Sequence, residues 1–253
     1  MGTCKLCHAE AVWVKSHVIP HAFFRSRRGD SAGGFLISEK HHPKRAPQGV
    51  YDNSLLCAGC ENAFLKVDTY GSEILIEKRA ELFERVASGN AYGEIESRKG
   101  SIDQDLLLRF FVSVLWRASA STQGYFDRIK LGQYAAQAAS VIQPGIPVPN
   151  SFAVVLSSWV NDVEMPVDLV RVNMDPFQEK WEGVNAYRFY FGDVVAYIKV
   201  NARPFPPRMQ RLALGQADHV FMVSRNFQKS SDFEAMRTTA RVSRLPAPKL
   251  YPT

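Results

Sequence analysis

The chain of 253 residues has room for one large domain or two modest ones, and its 46% hydrophobic content is enough for a sizeable core. No run approaches the roughly 18 consecutive apolar residues of a membrane span, and the start, a cysteine pair among charges, is unlike a secretory leader, so the sequence reads as a soluble cytoplasmic protein with no membrane partner. The net charge of +6 is concentrated: residues 1–50 hold eight Lys and Arg against three acids, together with five of the six histidines. A local basic field of this kind suits a polyanion such as DNA or RNA, the plainer alternative being a solubilising surface.

In chain order, residues 1–60 are loop-rich. Ala11–Val14 and Val18–Ile19 are too short for helices, and the spacing predicts that they pair as a hairpin. Residues 25–50 carry Gly29, Gly33, Gly34, Pro43, Pro47 and Gly49 among charges, which reads as a long functional loop with one strand near Gly34–Ser38. A helix is expected from about Cys60 to Ala87, with a break at Gly71, and a turn-rich stretch over 88–100 then separates two modules, 1–95 and 101–253. Ser101 with Gln104 reads as a capping box for a helix to Ala120, nearly apolar all round and therefore central. A second helix is expected over Tyr125–Ile142. Beyond it the period changes: Phe152–Trp159, Val167–Val172, Tyr187–Phe191, Val194–Val200 and Val220–Val223 read as strands, with a tight turn at Phe191-Gly192-Asp193-Val194. The fold class is thus α+β: a small N-terminal module and a helical, antiparallel β-sheet C-terminal module.

All four cysteines fall in two Cys-x-x-Cys pairs, Cys4/Cys7 and Cys57/Cys60, separated by 49 residues. Two intervening residues let both thiolates of a pair face one ion, and four soft ligands satisfy tetrahedral zinc. In a cytosolic protein this pattern favours metal over disulfides, and a thioredoxin-like redox motif does not explain two pairs. The expected role of Zn2+ is structural, tying a segment with little core of its own. His8 is read as a surface residue.

Between the pairs lies Ser16-His17-Val18-Ile19-Pro20, and Asn53-Ser54-Leu55-Leu56 leads into Cys57. This combination resembles the HNH, or ββα-metal, endonucleases. Many members carry a Cys-x-x-Cys, an acid or His followed by a His-Ile-Ile-Pro-like strand, a variable loop, an Asn, an apolar pair, and a second Cys-x-x-Cys that opens a helix. The resemblance covers residues 4 to about 68, roughly a quarter of the chain. It implies a treble-clef, ββα-metal-like N-terminal module with His17 as the general base that activates water against a phosphodiester. It further implies that Asn53 braces the loop, and that Mg2+ or Mn2+ acts beside the structural zinc. Two positions depart from the family pattern. Ser16 stands where an Asp or His usually ligates the catalytic metal, and Glu61 stands where a His or Asn is usual. Glu61 is a hard oxygen ligand, so the metal site is either rebuilt around it or gone. The structural alternatives are a packed His17, a turn-forming Asn53, and a Glu61 favoured by the helix dipole.

Arg25, Arg27, Arg28, Lys44 and Arg45 flank this site and can follow a phosphate backbone without reading bases. The C-terminal module shows no recognisable chemistry. The function expected is metal-dependent hydrolysis of DNA. The rival is a non-catalytic zinc module that binds nucleic acid or a protein partner, an inhibitor included. Ser16 favours the rival; His17 with Asn53 favours the enzyme.

Overall fold

The helix Gln104–Ala120 is the axis of the molecule: Leu107, Phe110, Phe111, Val114 and Leu115 on it are fully enclosed. The structure, a computed structural model, describes residues 1–24, 35–38, 41–86, 94–97, 100–143, 145–160, 172–181 and 183–242. The helix is capped by Asp103, whose side chain accepts the Leu106 N–H at 3.0 Å. The Ser101–Gln104 box is not this cap, because the Gln104 amide is engaged elsewhere, donating to Ala217 O at 2.7 Å and accepting from Gly215 N at 2.7 Å.

The helix Ala58–Ser72 packs along this axis, with Phe64 stacked on Trp116 at 5.9 Å. Gly71 does not break it. A Cβ there would lie 2.5 Å from the Phe110 ring, so glycine is what lets the two helices approach. Beyond Ser72 the chain widens into a π-helical turn, Glu73–Glu77, and a short helix, Arg79–Leu82. Phe83–Val86, expected as helix, is a strand, because it pairs with Glu94–Ser97.

The axis also packs on a seven-stranded sheet, where Phe111 meets Phe191 at 5.3 Å. Its order is Phe177–Trp181, Val184–Phe191, Val194–Val200, Phe152–Val160, Phe221–Asn226, Glu94–Ser97, Phe83–Val86. The expected turn at Gly192 is present, with a φ of 69° that glycine adopts freely. The purely antiparallel expectation fails in two places. Phe221–Asn226 runs parallel to Phe152–Val160, and Val172–Met174 runs parallel to Phe35–Ser38. The second pairing ties the segment between the cysteine pairs to the C-terminal half.

Three further expectations change. Ala11–Val14 and Val18–Ile19 do not form a hairpin. Glu10–Ala11 pairs with Gly2–Thr3, Ser16–His17 pairs antiparallel with Tyr51–Asp52, and Val18 and Ile19 go into the core instead. The span 125–142 is not one helix but two 3-10 turns and the helix Ala135–Ser140. Its backbone there is claimed from outside: Ser119 Oγ accepts the Leu131 N–H, and the Tyr187 hydroxyl bonds both the N–H and the C=O of Lys130. A helix Ser231–Val242 follows the sheet, started by Ser230 Oγ accepting the Phe233 N–H at 3.1 Å. The border predicted over 88–100 lies mostly outside the described residues, and one apolar core runs on both sides of it, from Val18 and Ile19 to Phe191 and Met222. Among the described residues no helix is long and apolar enough to cross a membrane.

Candidate active site and metal centre

Cys4, Cys7, Cys57 and Cys60 are free thiols whose sulfurs all lie within 4.8 Å of one another. Cys7 and Cys57 are 3.9 Å apart, close to the sulfur spacing of about 3.8 Å in a tetrahedron with metal–sulfur bonds of about 2.3 Å. Local backbone builds the first knuckle. Cys4 N–H donates to Ala9 O at 2.9 Å, and His8 N–H to Cys4 O at 3.0 Å. His8 closes the turn with a φ of 60°, in the left-handed region. Burial opposes ionisation of Cys4, but the backbone N–H groups of Cys7, Cys57 and Leu6 outweigh it and bring the thiol down to about 6. Cys57 stands at the N-terminus of the helix Ala58–Ser72. Burial and the neighbouring thiols push Cys60 up, so full ionisation of the four thiols calls for a cation to offset their charge. These four residues can hold a metal ion such as zinc.

The strand Ser16–His17 and its partner Tyr51–Asp52 pair ahead of this helix, with the strands Phe35–Ser38 and His41–Arg45 between them in the chain. His17 is held at both ends. Its carbonyl accepts from Arg117 Nη1 at 2.9 Å, and its Nε2 lies 3.0 Å from Gln48 O. A carbonyl only accepts, so Nε2 carries the hydrogen and Nδ1 the lone pair. The ring stacks on His21 at 5.6 Å and meets the edge of Tyr51 at 6.0 Å. Burial pushes His17 below its ordinary value, against the Gln48 carbonyl and with help from the charges of His21, Lys15 and Arg117. The imidazole is therefore neutral at neutral pH.

The loop after Tyr51–Asp52 is braced by Asp52 rather than Asn53. Asn53 is exposed, and no hydrogen bond of its side chain exists among the described residues. Asp52 is 1% exposed and accepts from Ser54 N (2.8 Å), Ser54 Oγ (2.7 Å), Ser121 Oγ (2.9 Å) and Thr122 N (2.6 Å). Burial opposes its ionisation, and these donors outweigh burial and hold the carboxyl below its usual range. The end of the central helix thus grips the second strand, while Arg117 grips the first.

Arg117 is fully buried and pairs with both oxygens of Asp68, at 2.7 and 2.6 Å. Glu61, two turns earlier on the same helix, turns inward toward the Ser16 hydroxyl, the His17 backbone N–H and Arg117. The Ser16 contact falls short of hydrogen-bond geometry: Glu61 Oε2 and Ser16 Oγ are both sealed from solvent without a partner among the described residues. Burial raises the Glu61 carboxyl above its ordinary range, with Ser16 and Arg117 offsetting part of the rise. Two carboxylates here share one guanidinium.

Of the expected basic contacts, Arg45 is exposed at the end of the strand His41–Arg45. Lys44 lies on that strand with its side chain outside the described residues, as are Arg25, Arg27 and Arg28 altogether. Sequence reasoning missed the roles of Arg117 and Asp52. Arg117 had a signal, a single charge inside an otherwise apolar stretch of helix, which is buried only if paired. No protein-family model, no curated protein and no solved structure matches this chain.

Proposed function

We propose that the chain is a metal-dependent endonuclease of the HNH, ββα-metal type that hydrolyses phosphodiester bonds in DNA. The observation that carries the reading is His17. It sits on one of two paired strands ahead of a helix, in a unit tied by four cysteines, is fixed at its carbonyl and its Nε2, and keeps a neutral Nδ1. In this reading Nδ1 takes the proton of a water as the water oxygen bonds to phosphorus and the bond from phosphorus to the leaving oxygen breaks. Zinc at Cys4, Cys7, Cys57 and Cys60 is structural and closes a treble-clef knuckle. Glu61 is the ligand for Mg2+ or Mn2+, which when bound stabilises charge on the leaving oxygen. Its sealed Oε2 and the Ser16 hydroxyl, each without a hydrogen-bond partner among the described residues, support a cation at that point. The order of the elements, the basic N-terminal segment and the exposed Arg45 support nucleic acid as the substrate.

The test is cleavage of plasmid DNA by the zinc-loaded chain with Mg2+ or Mn2+. His17→Ala should cost about 10²- to 10⁴-fold in rate, the usual contribution of a general base. Glu61→Gln should cut the metal-dependent cleavage while zinc content and folding stay intact. Because His17 lies below its ordinary 6.5, the acid limb of kcat/KM should fall below that value. A folded, zinc-loaded wild type that cleaves nothing with either metal leaves the rival reading, a non-catalytic zinc module, as the better one; Ser16 in place of an acidic ligand is the observation on its side.

A further inference from the structure

We infer that Asp68 holds Arg117 away from Glu61 and so leaves the Glu61 carboxylate to a divalent cation, an assignment that rests on the reading of Glu61 as the metal ligand. Glu61 and Asp68 share one face of the helix Ala58–Ser72, about 10 Å apart along its axis. Arg117 reaches that face from the helix Gln104–Ala120 and is fully buried, with its guanidinium 4.6 Å over the Phe64 ring. A guanidinium has five N–H groups, and here all five have acceptors. Nη1 donates to Asp68 Oδ2 at 2.7 Å and to His17 O at 2.9 Å. Nη2 donates to Asp68 Oδ1 at 2.6 Å and to Ser113 Oγ at 3.5 Å, and Nε donates to Ser113 O at 3.4 Å. None is left for Glu61. The bond pair to Asp68 is bidentate, which fixes the guanidinium in direction as well as in charge. Glu61 Oε2 and the neighbouring, fully buried Ser16 Oγ have no hydrogen-bond partner among the described residues. Arg117 and Asp68 act on Glu61 through charge, with opposite signs. A divalent ion arriving at Glu61 therefore meets an arginine whose charge Asp68 already answers. Without Asp68 the guanidinium has two freed N–H groups and an unmet charge beside Glu61, so ion and arginine compete for one carboxylate. Asp68 is thus a positioning residue that acts through Arg117.

The experiment uses the full, zinc-loaded chain and follows Mn2+ by the paramagnetic resonance signal of the free ion. Variants are compared at a temperature where zinc content and far-ultraviolet circular dichroism match wild type. Wild type should take up one Mn2+, and Glu61→Gln should lose it. Asp68→Asn should weaken Mn2+ binding by about tenfold or more, the scale of one unit charge acting on a divalent ion near this separation. Asp127→Asn removes the same charge from an exposed position and should change little. The double variant Asp68→Asn/Arg117→Gln removes the rival cation and retains an N–H donor for the His17 carbonyl, so it should bind Mn2+ within about threefold of wild type. Three results overturn the assignment: a wild type that takes up no Mn2+, an Asp68→Asn variant that binds as tightly as wild type, and a double variant that stays as weak as Asp68→Asn, which would mean that Asp68 acts on the ion directly. If the Mn2+ pattern holds but DNA is never cleaved, the hydrolytic reading falls and the role of Asp68 stands.

Discussion

Two buried ionic clusters in this chain use the same residue types and end in different states. On the sheet, Arg188 bonds Asp232 at 2.6 Å and Glu179 at 2.7 Å, with its guanidinium over Phe177 and Tyr197. Arg225 meets the other Asp232 oxygen at 3.2 Å and lies over Trp159 at 4.8 Å. Two guanidiniums answer two carboxylates. Arg188 Nε and Glu179 Oε1 remain without hydrogen bonds, but each belongs to a group whose charge is met. Asp232 lies in the helix Ser231–Val242, so this cluster docks a helix. Beside the cysteines, one guanidinium, Arg117, pairs with Asp68 and offsets the charge of Glu61 only in part. Burial of charge is common to both; imbalance is what separates a candidate site from a staple.

The largest effect that tests this contrast is loss of the metal. If the four cysteines hold zinc, Cys57→Ser should release it, and structural zinc is worth about 10–16 kcal/mol in small zinc-folded peptides. Elemental analysis should show one zinc per wild-type chain and none in the variant, with the N-terminal module unfolding. Equal zinc in both removes the cysteine cluster from the account.

Next comes a direct comparison of the two arginines. Arg117→Met should cost about 3–5 kcal/mol, the usual loss when one partner of a buried pair is removed, because Asp68 and Glu61 then stand without a cation and the His17 carbonyl loses its donor. Arg188→Met should cost less, because Arg225 still meets Asp232. Urea midpoints decide, and a larger loss at Arg188 reverses the comparison.

Acid and base limbs sharpen it further, with opposite signs. Asp52 is held below its ordinary 3.8, so its contribution is complete above that value and is lost as pH falls through the folded value. Asp52→Asn should flatten the acid limb of a stability profile. Glu61 is raised above its ordinary 4.5, so its contribution is complete below that value and is lost as pH rises through the folded value. At neutral pH without divalent ions, Glu61→Gln should therefore melt above wild type, and Mg2+ should narrow the gap. A variant that melts below wild type under those conditions means the carboxylate has a partner.

The smallest effect is at the knuckle. His8 holds a left-handed φ that costs an ordinary residue up to about 2 kcal/mol, and glycine's extra freedom in the unfolded chain takes part of the gain back. His8→Gly should stabilise the zinc-loaded chain by up to about 1 kcal/mol, read as a small rise in Tm. A fall would show that the imidazole itself contributes.

What was legible in the sequence was chemistry repeated at short range. The cysteine pairs announce their cluster because two residues of spacing orient both thiolates of a pair, and the apolar periodicity of residues 104–120 announces the central helix. The span 125–142 had the composition of a helix but not the outcome, since Ser119 and Tyr187 claim its backbone from elements far away in sequence. Bracing of the loop moved from Asn53 to Asp52 because strand pairing turns position 52 inward and leaves 53 exposed.

The sequence by itself determined the cysteine cluster, the central helix, the mixed α and β character and the concentration of positive charge near the N-terminus. Only the tertiary structure decided how His17 is held, that Arg117 hydrogen-bonds Asp68 while reaching Glu61 through charge alone, and that His21 and Tyr51 pack against the His17 ring. The physical reason is reach. Propensity and ligand spacing act over a few residues, whereas a buried guanidinium chooses among carboxylates by the packing of whole helices, and that choice fixes which charge is left over.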